Sequence, residues 1–165
     1  MPVANRNLSA HFTLHEMLVS ETAVRFNFDE QFEPSKSVVQ NLERLCQQVL
    51  EPLRLLLNAP IHVNSGYRCP RVNQLVGGAA GSQHLVGQAA DIVVFNTDVE
   101  TLFQTIRVTT LSYDQLIQEF GRWVHASHRD KPRRQVLRAT KNAIGRTFYT
   151  PVPFNPLPVL ADSQR

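Results

Sequence analysis

A histidine and an aspartate stand seven residues apart in a run of small and apolar residues: His84, after Gly81-Ser82-Gln83, and Asp91, inside Ala89-Ala90-Asp91-Ile92-Val93-Val94. A carboxylate in an apolar strand is costly unless it is paired or bound to a metal. Gly87 lies between the two and lets the backbone turn, so a loop histidine and a strand aspartate can converge. Imidazole nitrogen and carboxylate oxygen are both zinc donors, at about 2.0–2.2 Å, and a catalytic zinc takes three protein ligands and keeps one position for water. The third donor must come from another element, and His125 in Trp123-Val124-His125 is the candidate. His128 competes with it, but the two would point to opposite faces of one strand. The His84–Asp91 spacing also allows a hydrogen-bonded core pair with no metal.

The elements that must position these residues follow from periodicity. Thr13 to Glu16 reads as a capping box that opens a short helix through about residue 20. Residues 21–34 show no clean period and read as a loop. The longest helix is expected over residues 35–57, with Val38, Leu42, Leu45, Val49, Leu53 and Leu56 as its apolar stripe. Pro52 predicts a kink or break there. A half-buried strand is expected from Ile61 to Asn64, then a turn and a short helix over 69–76 with Val72, Leu75 and Val76 inward. The run Gly77-Gly78-Ala79-Ala80-Gly81 reads as a loop and lacks the spacing of a phosphate-binding loop. Residues 89–95 form a core strand, 98–108 a helix capped by Asp98 or Thr97, and 115–119 and 122–127 two strands around Phe120-Gly121. A last strand is expected within Arg134 to Thr140. The tail from Phe148, with Pro151, Pro153, Pro156 and Pro158, reads as extended or disordered. Helices flanking short antiparallel strands make the class α+β.

Composition bounds the alternatives. The chain has 165 residues, 42% hydrophobic and 19% charged, which suits one packed domain. The net charge of +3 comes from a basic run, Arg129 to Arg146, which reads either as a solvated surface or as a patch for an anionic partner. No nucleic-acid recognition motif accompanies it. The two cysteines, Cys46 and Cys69, have no C-x-x-C pattern, which argues against a thiolate metal site; a disulfide between them stays open. His11 and His15 read as surface or capping residues and His62 as structural. The N-terminus lacks a signal-peptide core and no apolar run reaches membrane-spanning length, so a product made in the cytoplasm is expected.

Several motifs then fall in one order. They are S-G-Y-R-x-x-x-x-N (Ser65, Gly66, Tyr67, Arg68, Asn73), Gly77-Gly78, S-x-H-x-x-G-x-A-x-D-I (Ser82, His84, Gly87, Ala89, Asp91, Ile92) and D-Q-L-I-x-E-F-x-x-W-V-H (Asp114 to Phe120, Trp123 to His125). Together they resemble the zinc D-alanyl-D-alanine peptidases, in the wider group that includes lysostaphin-type enzymes and hedgehog domains. The resemblance covers roughly residues 12–127. With an irregular lead-in over residues 1–12 and a Pro-rich tail over 148–165, the peptidase domain is expected over 13–147. The resemblance also implies a Zn2+ cofactor held by His84, Asp91 and His125, and the stem peptide of bacterial peptidoglycan as substrate.

By position, Arg68 would bind the substrate carboxylate or the developing oxyanion. Ser82 would bond the substrate or the ligand loop, or act as a turn residue. Related enzymes often carry the general base three residues before the third ligand, where this chain has Arg122. Glu119 is the expected base in its place, with ion pairing or solvation as the plain alternative, and Asp114 is a poorer substitute. The compact domain, expected to be a monomer, resembles phage or prophage members that reach the wall on release or from a virion. An inactive zinc-stabilised wall-binding or phage structural module is the alternative that Arg122 keeps open.

Overall fold

In the computed structural model, residues 4–153 are described. Helix α1 (Leu14–Leu18) starts at the expected capping box, with Thr13 and Glu16 each satisfying the other's backbone. The residues expected to be a loop instead form α2 (Glu21–Phe26) and a 3-10 turn (Asp29–Phe32). Of α2, only Ala23 is buried, so the helix lies on the surface and carries no apolar stripe to reveal it.

The long helix runs as α3 (Lys36–Leu45), a π-helical turn (Cys46–Leu50) and α4 (Glu51–Leu57). The expected interruption takes the form of the π turn, in which the Glu51 N–H reaches the Cys46 carbonyl. Pro52 then sits in the first turn of α4, where its missing N–H does no harm. Val38, Leu42, Leu45, Val49 and Leu53 are buried as read, but Leu56 is exposed, because the π turn rotates the last stretch off the stripe. Cys46 and Cys69 are both buried free thiols, which closes the disulfide question.

The sheet has six strands: β1 (Ile61–Ser65), β2 (Ala89–Val94), β3 (Gln115–Glu119), β4 (Trp123–Ser127), β5 (Gln135–Lys141) and β6 (Thr147–Pro151), in the order β1-β2-β4-β3-β5-β6. All neighbours are antiparallel except the parallel pair β3–β5. The fold is therefore α+β, as expected. Two short helices complete it: α5 (Pro70–Leu75) and α6 (Val99–Arg107), the latter capped by Asp98. Val72 faces inward from α5, but Leu75 and Val76 are exposed, as is Phe95 beyond β2. One tail expectation changes: Phe148 to Pro151 belong to β6, paired with β5, so the sheet continues past the boundary expected at 147. Pro156 and Pro158 lie outside the described residues.

Strand alternation gives the sheet two unlike faces. One carries Ile92, Val124, Ala126, Leu116 and Val136, which join the main core with Leu42, Leu45, Leu53, Leu102, Phe103 and Ile106 from the helices. The other carries Asp91, His125 and Glu119. Three residues of the basic run are structural rather than part of a free patch. Arg133 is bonded to buried Asp114, Arg138 to Glu100, and Arg134 caps the Thr109 and Leu111 carbonyls.

Candidate metal centre

Asp91 on β2 and His125 on β4 are direct partners across the ladder. His84 arrives from a 3-10 turn, Gln83–Val86, whose start is capped by Ser82: its Oγ accepts from the His84 backbone N–H at 3.3 Å. Gly87 ends the turn at φ +72°, and a Cβ there would lie 2.7 Å from the Val38 carbonyl oxygen. Conformation and close approach to α3 both require glycine.

The three side chains meet, and all are buried. His84 Nε2 is 3.2 Å from Asp91 Oδ1 and 3.2 Å from His125 Nδ1, and His125 Nδ1 is 3.1 Å from Asp91 Oδ1. His84 Nδ1 lies 2.6 Å from the Gly66 carbonyl. A carbonyl only accepts, so Nδ1 carries the proton and Nε2 presents a bare lone pair to the cluster. Burial holds the His84 imidazole below its ordinary pKa, against the pull of Asp91, and so favours that neutral form. Burial opposes ionisation of Asp91, but its contacts with His84 and His125 outweigh this and hold the carboxyl well below the usual range.

Three acceptor sites therefore converge with at most one proton, on His125, to share among them. A cation at the centre would satisfy all three at once. The separations suit zinc: a tetrahedron with bonds of about 2.0–2.1 Å has edges of about 3.3 Å. The donor set thus fits the metal that the sequence reading implies.

A β-bulge between Val63 and Ser65 brings the end of β1 to Asp91, with Ser65 opposite it. Arg68 follows. Its guanidinium pairs with Asp91 Oδ2, and its Nε donates to Ser65 Oγ at 2.8 Å. Asp91 therefore turns one oxygen to the histidines and the other to Arg68. An arginine expected only over the substrate also orients a ligand.

Glu119 ends β3 opposite Trp123, whose indole N–H donates to Glu119 Oε2 at 3.0 Å. Burial, and then the charge of Asp91, push the Glu119 carboxyl above its ordinary pKa, partly offset by His125, Trp123 and Arg68. The tight turn after it explains Arg122. Phe120 and Gly121 both have positive φ, 56° and 67°, and the Arg122 N–H bonds the Glu119 carbonyl, which leaves Arg122 exposed at the hairpin end.

Other expected residues lie elsewhere. His128 is outside the cluster, its backbone N–H bonded to the Gln88 carbonyl. Asp114 is buried and held by Arg133 through contacts of 3.0 and 2.5 Å. His11 pairs with Glu51 at 2.5 Å, and His62 is exposed beside Phe95.

The supporting roles of three residues escaped the sequence reading. Gln31 is fully buried; its amide donates to the Leu18 and Tyr67 carbonyls and accepts from the Cys69 N–H, which clamps both sides of Arg68. Gly66 presents its carbonyl to His84, and a Cβ there would lie 2.5 Å from the Met17 carbonyl oxygen. Trp123 had only been a motif letter. Gln31 stood in a segment read as loop, so only its polarity next to Phe32 could have marked it.

Two imidazoles and a carboxylate converging over one sheet face, with a carboxylate and a guanidinium beside them, are the side-chain set of a hydrolytic metalloenzyme. A family model described as Peptidase M15 matches residues 10–127, and the chain belongs to that family, whose members are zinc-dependent metallopeptidases. No curated protein matches the chain.

Proposed function

We propose that this domain is a zinc peptidase that cleaves a D-amino-acid-containing bond in the stem peptide of bacterial peptidoglycan, as a carboxypeptidase or an endolysin-like endopeptidase. The observation that carries the reading is the convergence of His84 Nε2, Asp91 Oδ1 and His125 Nδ1 within 3.2 Å of one another, with Glu119 held beside them. These three side chains would hold the ion. When bound, zinc supplies Lewis acidity, which polarises the scissile carbonyl and acidifies water.

The chain's own residues account for the rest. Glu119 takes the proton of the attacking water and delivers it to the leaving amine. Its raised pKa brings proton uptake and release closer to neutral pH, and the Trp123 indole holds one carboxylate oxygen while leaving the other for the reaction. Arg68 holds Asp91 in place and offers its remaining donors to a substrate carboxylate or to the developing oxyanion. Ser82 holds the His84 turn by accepting from the His84 backbone N–H.

The binding-module alternative rested on Arg122 at the usual base position. The location of Glu119 in the site supports the enzyme. Among the described residues no helix is long and apolar enough to cross a membrane, and we propose action on the wall after release from a cell or from a virion.

The test is digestion of purified peptidoglycan with and without chelator. Release of peptides or D-alanine that stops on chelation and returns with zinc is expected. A zinc-loaded protein that leaves the wall intact would overturn the enzymatic reading.

A further inference from the structure

The family match ends at residue 127, yet the sheet continues through β5 and β6. Register shows what these two strands add to the site face. Glu119 pairs with Trp123 on one side and with Ala139 on the other, and Ala139 pairs with Tyr149. Trp123, Glu119, Ala139 and Tyr149 thus form one row across four strands, all on the face that carries Asp91 and His125. Neighbouring strands are about 4.8 Å apart, so Tyr149 starts about 10 Å from Glu119, within reach of a phenol leaning across a small residue.

Ala139 is that small residue, and it has no exposed surface. Beside it Ile117, opposite His125, and Leu137 form a second apolar cluster separate from the main core. The Tyr149 side chain is half-exposed, and no described residue hydrogen-bonds its hydroxyl. Burial, then the charges of Glu119 and Asp91, raise its pKa, which agrees with a phenol standing close to both carboxylates.

We propose that β5 and β6 form a substrate shelf next to the metal centre, and that Tyr149 is a substrate-binding residue on it. The buried apolar floor of Ile117, Leu137 and Ala139 supports the shelf from beneath, and the half-exposed Tyr149 presents its hydroxyl to donate to a peptide carbonyl near the scissile bond. This rests on the peptidase reading above and adds a residue to it.

The test uses the whole zinc-loaded protein, with Tyr149→Phe, Tyr149→Ala and, as a control on the opposite face of β6, Thr150→Ala. The probe is a synthetic stem pentapeptide, followed by cleavage kinetics and by calorimetric binding to the metal-free protein. We expect KM to rise about tenfold in Tyr149→Ala and about threefold in Tyr149→Phe, with kcat within about twofold. Binding to the metal-free protein should weaken in the same order. Zinc content, melting temperature and the Thr150→Ala kinetics should match wild type. A wild-type KM in both Tyr149 variants overturns the shelf while leaving the peptidase reading intact. A wild-type protein that neither binds nor cleaves the pentapeptide overturns the substrate class, and the shelf with it.

Discussion

Asp91 and His125 stand opposite each other on β2 and β4, both buried, with Oδ1 and Nδ1 3.1 Å apart. Two rigid strands therefore preset two of three donors, and only His84 depends on a loop. Alanine at His84, Asp91 or His125 should abolish stoichiometric zinc, while His128→Ala should retain it. Metal analysis reads this directly. Chelation should lower the melting temperature of wild type but not of the ligand variants, because a ligand at about 100 times its Kd adds about 2.7 kcal/mol to stability. Retained zinc after loss of His125 would sink the assignment.

Glu119→Gln keeps the bond to Trp123 possible but removes the proton acceptor. Zinc content should stay at wild type and kcat should fall about 10²–10⁴-fold. In the metal-free protein the Glu119 carboxyl titrates above its ordinary value, because burial and Asp91 disfavour its charge. A bound cation favours the charged form, so zinc should move that titration down. Carboxyl-carbon NMR with and without zinc measures both values; an unmoved titration would place Glu119 too far away to act.

Gln31 makes three hydrogen bonds from a fully buried position. Gln31→Leu leaves two carbonyls and one N–H without partners and should cost on the order of 3 kcal/mol. It should also loosen the segment that carries Arg68, so hydrogen exchange at Tyr67 and Cys69 should quicken more than at β4. Uniform change across the sheet would show a merely global effect.

Much of this architecture was legible in the sequence, and the exceptions have physical causes. Asp91 stood out because a lone carboxylate inside Ala89–Val94 violates burial rules, and a violated rule marks a site. Strands β2 to β4 and helix α6 followed from periodicity. Helix α2 did not, because a surface helix with one buried residue shows no stripe. Strand β6 was hidden by Pro151 at its end, which an edge strand tolerates. Gln31 and Tyr149 were the hardest to read: the contacts of Gln31 reach 36 residues along the chain, and the place of Tyr149 follows from register across β5.

Asp114 offers a pH test outside the centre. Burial pushes its carboxyl up, but bonds from Arg133 outweigh that and lower it below its ordinary value. A carboxyl with a depressed folded pKa stabilises above its unfolded value, about 3.9, and that contribution is lost as pH falls through the lower folded value. Asp114→Asn should therefore lose on the order of 2 kcal/mol at pH 7, with the gap to wild type closing below about pH 4. Urea melts at pH 7, 5 and 3 give the curve; a gap that stays constant with pH would mean the loss is one of shape rather than charge.

Arg68 separates two roles that the motif alone merges. Its side chain is only 15% exposed, and it spends donors on Asp91 Oδ2 and Ser65 Oγ. If it only bound substrate, Arg68→Lys would raise KM and leave zinc affinity untouched. Because it also braces a ligand, the lysine, which has no planar fork, should weaken zinc binding about 10–100-fold as well. Arg68→Ala should go further, since Asp91 then loses its only cationic side-chain partner among the described residues besides the histidines. Ser65→Ala breaks the brace without touching the charge, so its zinc affinity should fall between wild type and Arg68→Lys while KM at saturating zinc stays near wild type. Zinc titration of all three proteins, alongside KM at saturating zinc, resolves the two contributions. Unchanged zinc affinity in all three would return Arg68 to a purely substrate-facing role.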